Sequence, residues 1–180
     1  MKRKKLFAIS FLLLAIASAK IANAQTFTAL LFPEGKVCFK VKTPGLFLYL
    51  SSNGIITNYD AAANGTMRYD IYGRISKIGE MPIHYDINSR IDSIGAISLS
   101  YDLDNRIKDV GNIQITYDLS GRISTLDHKN ISFDVISGKV IKIASAEISY
   151  NVYGEIERIV DNEGIITLFS KLPKLSYAGY

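Results

Sequence analysis

The chain has 180 residues, of which 48% are hydrophobic, and a formal net charge of +4 at neutral pH. Its single cysteine, Cys38, excludes an internal disulfide and a multi-cysteine metal site. The basic excess is no nucleic-acid signature: five of the 21 basic residues and none of the 17 acidic ones fall within residues 1–24, so 16 face 17 from Gln25 onward.

Those first residues read as an address. Lys2, Arg3, Lys4 and Lys5 precede an apolar run from Leu6 to Ala19, and Ala22-Asn23-Ala24 offers small residues for cleavage. The run falls short of the ~20 residues that span a bilayer and is stopped by Lys20. Residues 1–24 are therefore expected to be a signal peptide cleaved after Ala24. The mature chain is expected to be secreted, periplasmic or on the cell surface, with no membrane span and no nucleic-acid partner. An exported lone cysteine leaves the fold to hold by packing. Cys38 alternates with the lysines of its strand, half-buried and inert, or else exposed and able to cross-link a dimer.

Residues 25–68 read as hairpins within the same domain as residues 69–160. TFTALLF, KVCFKVK, LFLYL and IIT are separated by Pro33-Glu34-Gly35, Thr43-Pro44-Gly45 and Ser52-Asn53-Gly54. Asn58 to Thr66 reads as an irregular connection, with Tyr59-Asp60 echoing the Tyr-Asp pairs further along the chain.

Residues 69–160 repeat. Units begin at Tyr69, Tyr85, Tyr101, Tyr117, Phe133 and Tyr150, a period of sixteen with one slip to seventeen. Positions 1, 3, 7, 10 and 15 are aromatic or aliphatic throughout. Position 3 holds Ile71, Ile87, Leu103, Leu119, Val135 and Val152. From position 13 through to position 3 the pattern alternates strictly, as in Ile97-Ser98-Leu99-Ser100-Tyr101-Asp102-Leu103, which predicts a strand with one buried face that includes position 3. Asp-x-x-Gly predicts a type I turn closed by a bulge at Gly73, Ser89, Asn105, Gly121, Gly138 or Gly154. That turn sets Asp70 opposite Arg74, Asp86 opposite Arg90 and Tyr85 beside Ile91; a plain two-residue turn, the alternative, would put the arginines on the apolar face. A second bulge in the returning strand would bring Ile91 and Ile94 to one face. Two-residue turns such as Gly79-Glu80 and Gly95-Ala96 close each unit into one hairpin. Residues 161–180 read as a C-terminal strand and an irregular tail.

A single hairpin of this size buries too little to offset its ordering entropy, so the array should fold as a block. The expected fold class is all-β: an antiparallel meander of 16-residue hairpin repeats forming a curled sheet or a flattened barrel or sandwich. Its apolar face is to be covered by its own curvature or by the strands of residues 27–57. Strands of five to seven residues are too short for a membrane barrel.

YDIYGRI (69–75) and YDLSGRI (117–123), and more loosely YDINSRI and YDLDNRI, resemble the YD repeat of the Rhs and teneurin families. The resemblance covers about half the chain. It implies a spiralling sheet of β-hairpins and, as those families use it, a shell or an adhesive surface. The sixteen-residue period is shorter than theirs, near twenty, and the chain is too short to enclose a cargo.

The aspartates Asp70, Asp86, Asp102, Asp118 and Asp134 recur two strands apart, about 9.6 Å, too far to share a calcium ion. They read as turn formers and arginine partners. His84 falls on a polar strand face and His128 in a turn, with no metal or nucleophile motif around either. No enzyme, cofactor or metal is expected. The tyrosines at position 1 read as core, or as a platform for a ligand if exposed. Tyr150, Tyr153 and Tyr177 are the candidate ligand-facing aromatics. The expected activity is binding or adhesion at the cell envelope to a protein or glycan. A passive structural spacer is the alternative, and a hydrolase with a cryptic site comes third.

Overall fold

The computed structural model describes residues 26–61 and 66–169. The expected signal peptide (1–24), the tail beyond Phe169 and Tyr177 lie outside them. The described residues form seventeen strands and no helix.

Twelve strands make one antiparallel meander in chain order. They are β5 (Met67–Tyr69), β6 (Ile75–Ile78), β7 (Met81–Tyr85), β8 (Ile91–Ile94), β9 (Ile97–Tyr101) and β10 (Ile107–Val110). The run continues through β11 (Ile113–Tyr117), β12 (Ile123–Leu126), β13 (Lys129–Phe133), β14 (Val140–Ile143), β15 (Ala146–Tyr150) and β16 (Ile156–Val160). β5 and β16 are its two edges and do not pair, so the sheet is open rather than a barrel.

The hairpin geometry follows from the turn chemistry. Asp86 N–H donates to the Arg90 carbonyl at 2.8 Å, Ser89 N–H donates to the Asp86 carbonyl at 3.0 Å, and Ser89 takes a φ of 62°. These are the marks of a type I turn closed by a left-handed bulge residue. The expected second bulge is also present: His84 opposes Ser93 but Tyr85 opposes Ile91, which leaves Asp92 as the extra residue. The same shift recurs at each Tyr-Asp corner, and it brings positions 7 and 10 to one face. Ile107 with Val110, Ile123 with Leu126 and Val140 with Ile143 are consequently all buried. The slip to seventeen sits in the Asp134 turn, where Gly138 N–H reaches the Asp134 carbonyl at 3.0 Å around one additional residue.

The apolar face is covered by a second sheet, one of the two expected ways. Its order is β17 (Ile166–Leu168), β1 (Phe27–Leu31), β2 (Val37–Thr43), β3 (Leu46–Ser51), β4 (Ile56–Ala61). Alternation in β2 and β3 buries Val37, Phe39, Val41, Leu46, Leu48 and Leu50, and these join the repeat residues in one core. The C-terminal β17 lies parallel to β1, so it ties the end of the array to the first strand. Tyr59 opposes Leu48 inside β4. The chain from Asn58 to Ala61 is strand where an irregular connection was expected, because it extends the β3 hairpin.

The tight turns of the small sheet do more than reverse the chain. The bulge at position 7 leaves a backbone N–H without a ladder partner, and an unpaired buried amide is costly. Ile123 N–H donates to the Ser52 carbonyl at 2.7 Å and Ile107 N–H to the Gly54 carbonyl at 3.2 Å. Position 7 is fully buried at these repeats and only half-buried at Ile75, Ile91 and Ile156.

Candidate binding surface at the rim of hairpin tips

The rows of tyrosine and arginine are not a free platform. Tyr85, Tyr101, Tyr117 and Tyr150 each donate their hydroxyl to the position 7 carbonyl of the preceding repeat, at 2.9, 2.7, 2.5 and 2.7 Å. Arg74, Arg90, Arg106 and Arg122 each lie over the aromatic ring of the following repeat, 4.2–4.6 Å from its centroid. Each arginine also pairs with the aspartate of its own turn at 2.7–2.9 Å. So Asp, Arg and the next Tyr form one rung, repeated from hairpin to hairpin. The last hairpin of the array has Asn151 and Glu155 in place of Asp and Arg, bonded at 3.1 Å. It is a capping repeat of the kind that ends such arrays.

These rungs set the titration behaviour. Partial desolvation pulls the Asp102 carboxyl up, but hydrogen bonds from the Arg106 backbone and side chain outweigh it and hold it below the ordinary value. Asp70, Asp86 and Asp118 follow the same balance. Burial pushes the Tyr101 and Tyr150 hydroxyls up to about 12.

Position 3 does not lie where its hydropathy predicts. Ile71, Ile87, Leu103, Leu119, Val135 and Val152 do not continue the buried strand face; each is at least 90% exposed. The reason is local. Position 3 is the first central residue of the type I turn, and such residues project beyond the last ladder pair. Asp-x-x-Gly itself carried that signal, and the apolar alternation masked it. Val135 is joined by Ile136 at position 4, which is exposed at every tip and is aliphatic only here.

The result is a row of aliphatic tips along one rim of the large sheet. Equivalent tips lie two strands apart, about 9.6 Å. The first four tips are braced alike: Asp70 Oδ1 accepts from the N–H groups of Tyr72 and Arg74, both at 2.9 Å, and Asp86, Asp102 and Asp118 repeat the arrangement. Across the six tips the only charged side chain is Asp104, which Arg106 pairs at 2.7 Å. The opposite rim carries Gly79-Glu80, Gly95-Ala96, Gly111-Asn112, Asp127-His128 and Ala144-Ser145, without a large apolar residue.

The aromatics singled out from the sequence divide. Tyr153 projects from the last tip, 85% exposed, and Tyr72 does so from the first. Tyr150 is half-buried, its hydroxyl bonded to Val140 and its ring under the Lys139 ammonium at 5.0 Å. His84 and His128 are both exposed, on a strand and in a turn. A depression of about 480 Å³ on the outer face of β13–β16 is lined by Ser132, Lys142, Glu147, Ser149 and Arg158 among others, and includes neither histidine. Among the described residues no cluster of His, Cys, Asp or Glu could hold a metal ion. Cys38 is half-buried on the face of β2 away from the core, 4.0 Å from Thr57 Oγ1, and burial pushes its thiol up. Its reactive thiolate form is thereby disfavoured.

No known family model matches the chain, and no curated protein matches it.

Proposed function

We propose that this chain is an exported, non-enzymatic β-repeat protein that acts by binding at the cell envelope, with the rim of hairpin tips as its contact surface. One observation carries the reading: six consecutive repeats place a branched aliphatic residue, fully exposed, at the same point of the same rim. Isolated exposed apolar residues are ordinary, but six of them at one register of one rim form a regular row, and an exposed apolar row of this kind marks an interaction site. Nothing in the fold requires it, since position 3 makes no core contact. The Tyr-Asp corner and the meander of hairpins support kinship with YD-repeat proteins, of which this would be a short, divergent form. The signal-like residues 1–24 support export.

A photo-activated cross-linker installed at Leu103 in the producing cell tests the reading, with the same group at Asn112 on the opposite rim as control. Adducts from position 103 alone support it. Equal yields from both, or none from either, would leave the chain a passive structural spacer, the reading that the polar outer face favours.

A further inference from the structure

We propose that the rim docks on a zwitterionic lipid surface, which the aliphatic tips enter side chain by side chain; this rests on the reading of the rim as the contact surface. The shape of the row points there first. Each tip presents one or two branched side chains, about 9.6 Å from the next, with polar or small residues between. A protein partner burying the whole row would need apolar sockets at that pitch, whereas fluid hydrocarbon closes round each tip separately.

The charge pattern points the same way. The tips carry one charged residue, Asp104, and it is already paired. Behind the first four Asp70–Arg74, Asp86–Arg90, Asp102–Arg106 and Asp118–Arg122 are neutral pairs, and behind the last two the carboxylates Asp134 and Glu155 are bonded to Ser137 and Asn151. Lys139 is turned onto the Gly154 carbonyl. Among the described residues of the tips no row of unpaired cations faces outward to hold anionic headgroups. Tyr72 and Tyr153 stand at the two ends of the row, 76% and 85% exposed, and such amphipathic rings favour the boundary between water and hydrocarbon.

Backbone bonding completes the case. Approach to hydrocarbon penalises unpaired amides. At the first four tips the N–H groups of positions 4 and 6 are bonded to the Asp side chain and that of position 5 to the Asp carbonyl. Those tips meet the lipid with these donors satisfied and with no loop to order.

The test is co-flotation of the chain from Gln25 onward, which contains both sheets, with phosphatidylcholine vesicles at low and high salt. The expected result is salt-insensitive binding, reduced at least tenfold (an order-of-magnitude expectation for three lost apolar anchors) in the triple variant Ile87→Ser/Leu103→Ser/Leu119→Ser. The chain has no tryptophan, so Leu103→Trp supplies a second readout: its emission should shift to the blue on vesicle addition, and that of Asn112→Trp should not. Absence of flotation, flotation unaffected by the triple variant, or binding that needs anionic lipid and vanishes in salt each overturns the proposal. So does a dimer in solution that the triple variant dissolves, since a second copy would then cover the rim. If vesicles fail while the cross-linker at position 103 captures a protein, the lipid assignment falls and the contact surface stands.

Discussion

The rung between repeats can be tested where the chain itself supplies a natural deletion. At Tyr101 the hydroxyl donates to the Ile91 carbonyl at 2.7 Å, while Phe133, at the same repeat position, has no hydroxyl to offer Ile123. Tyr101→Phe keeps the ring and its stack under Arg90 at 4.4 Å and removes only the bond. Losing one such bond, with a half-buried carbonyl left unpaired, costs about 1–1.5 kcal/mol. For a domain of this size each kcal/mol corresponds to roughly 2–4 °C in Tm. Phe133→Tyr is the reciprocal change and should raise Tm by about 1–4 °C, since the net gain of a new bond is about 0.5–1 kcal/mol. Both are read by thermal and urea unfolding followed by far-ultraviolet circular dichroism. If Phe133→Tyr lowers stability, or Tyr101→Phe leaves it unchanged, the hydroxyl is not what ties one hairpin to the next.

The same geometry sets three further outcomes. Leu103→Ser, at a fully exposed tip, should change stability by no more than about 0.5 kcal/mol, whereas Leu99→Ala, four residues away and buried, should cost about 2–4 kcal/mol in urea unfolding. Gly54→Ala should destabilise by about 3 kcal/mol or more, because a Cβ there would overlap the Tyr117 hydroxyl and ring. Gly73→Ala, at a similar φ but with open space around it, should cost only about 1–2 kcal/mol. The pH profile should fall on both flanks. The aspartates of the rungs have depressed folded pKa values, so their contribution is present above the unfolded value of about 3.9 and is lost as pH falls through the depressed ones. Tyr101 and Tyr150 hold their protons to about 12, so the unfolded chain deprotonates first and stability declines as pH rises above about 10. A profile flat from pH 9 to 12 would contradict the buried hydroxyls.

Much of this molecule was written in local pattern. The sixteen-residue period, the bulged turn at Asp-x-x-Gly, the second bulge opposite Tyr85 and the buried pairing of positions 7 and 10 all depend on residues close in sequence. Turn chemistry and pleat alternation fix them without reference to the rest of the fold. Position 3 was legible too, since Ile87 or Leu103 can only be a turn residue once Asp86 or Asp102 starts the turn. Hydropathy alone placed it in the core, because an apolar residue in register with a strand looks buried until the strand is known to have ended.

The arrangement between layers was decided only by tertiary structure. No pattern in Ser51 to Ile55 shows that Ser52 and Gly54 will offer carbonyls to Ile123 and Ile107 of the other sheet. Nor does anything in Ile166–Leu168 show that this strand will run parallel to Phe27–Leu31. Such contacts depend on where the ends of two independently formed sheets come to lie once their apolar faces meet. A chain can specify each sheet from its neighbours in sequence, but the meeting of their rims is settled by the packing of both together.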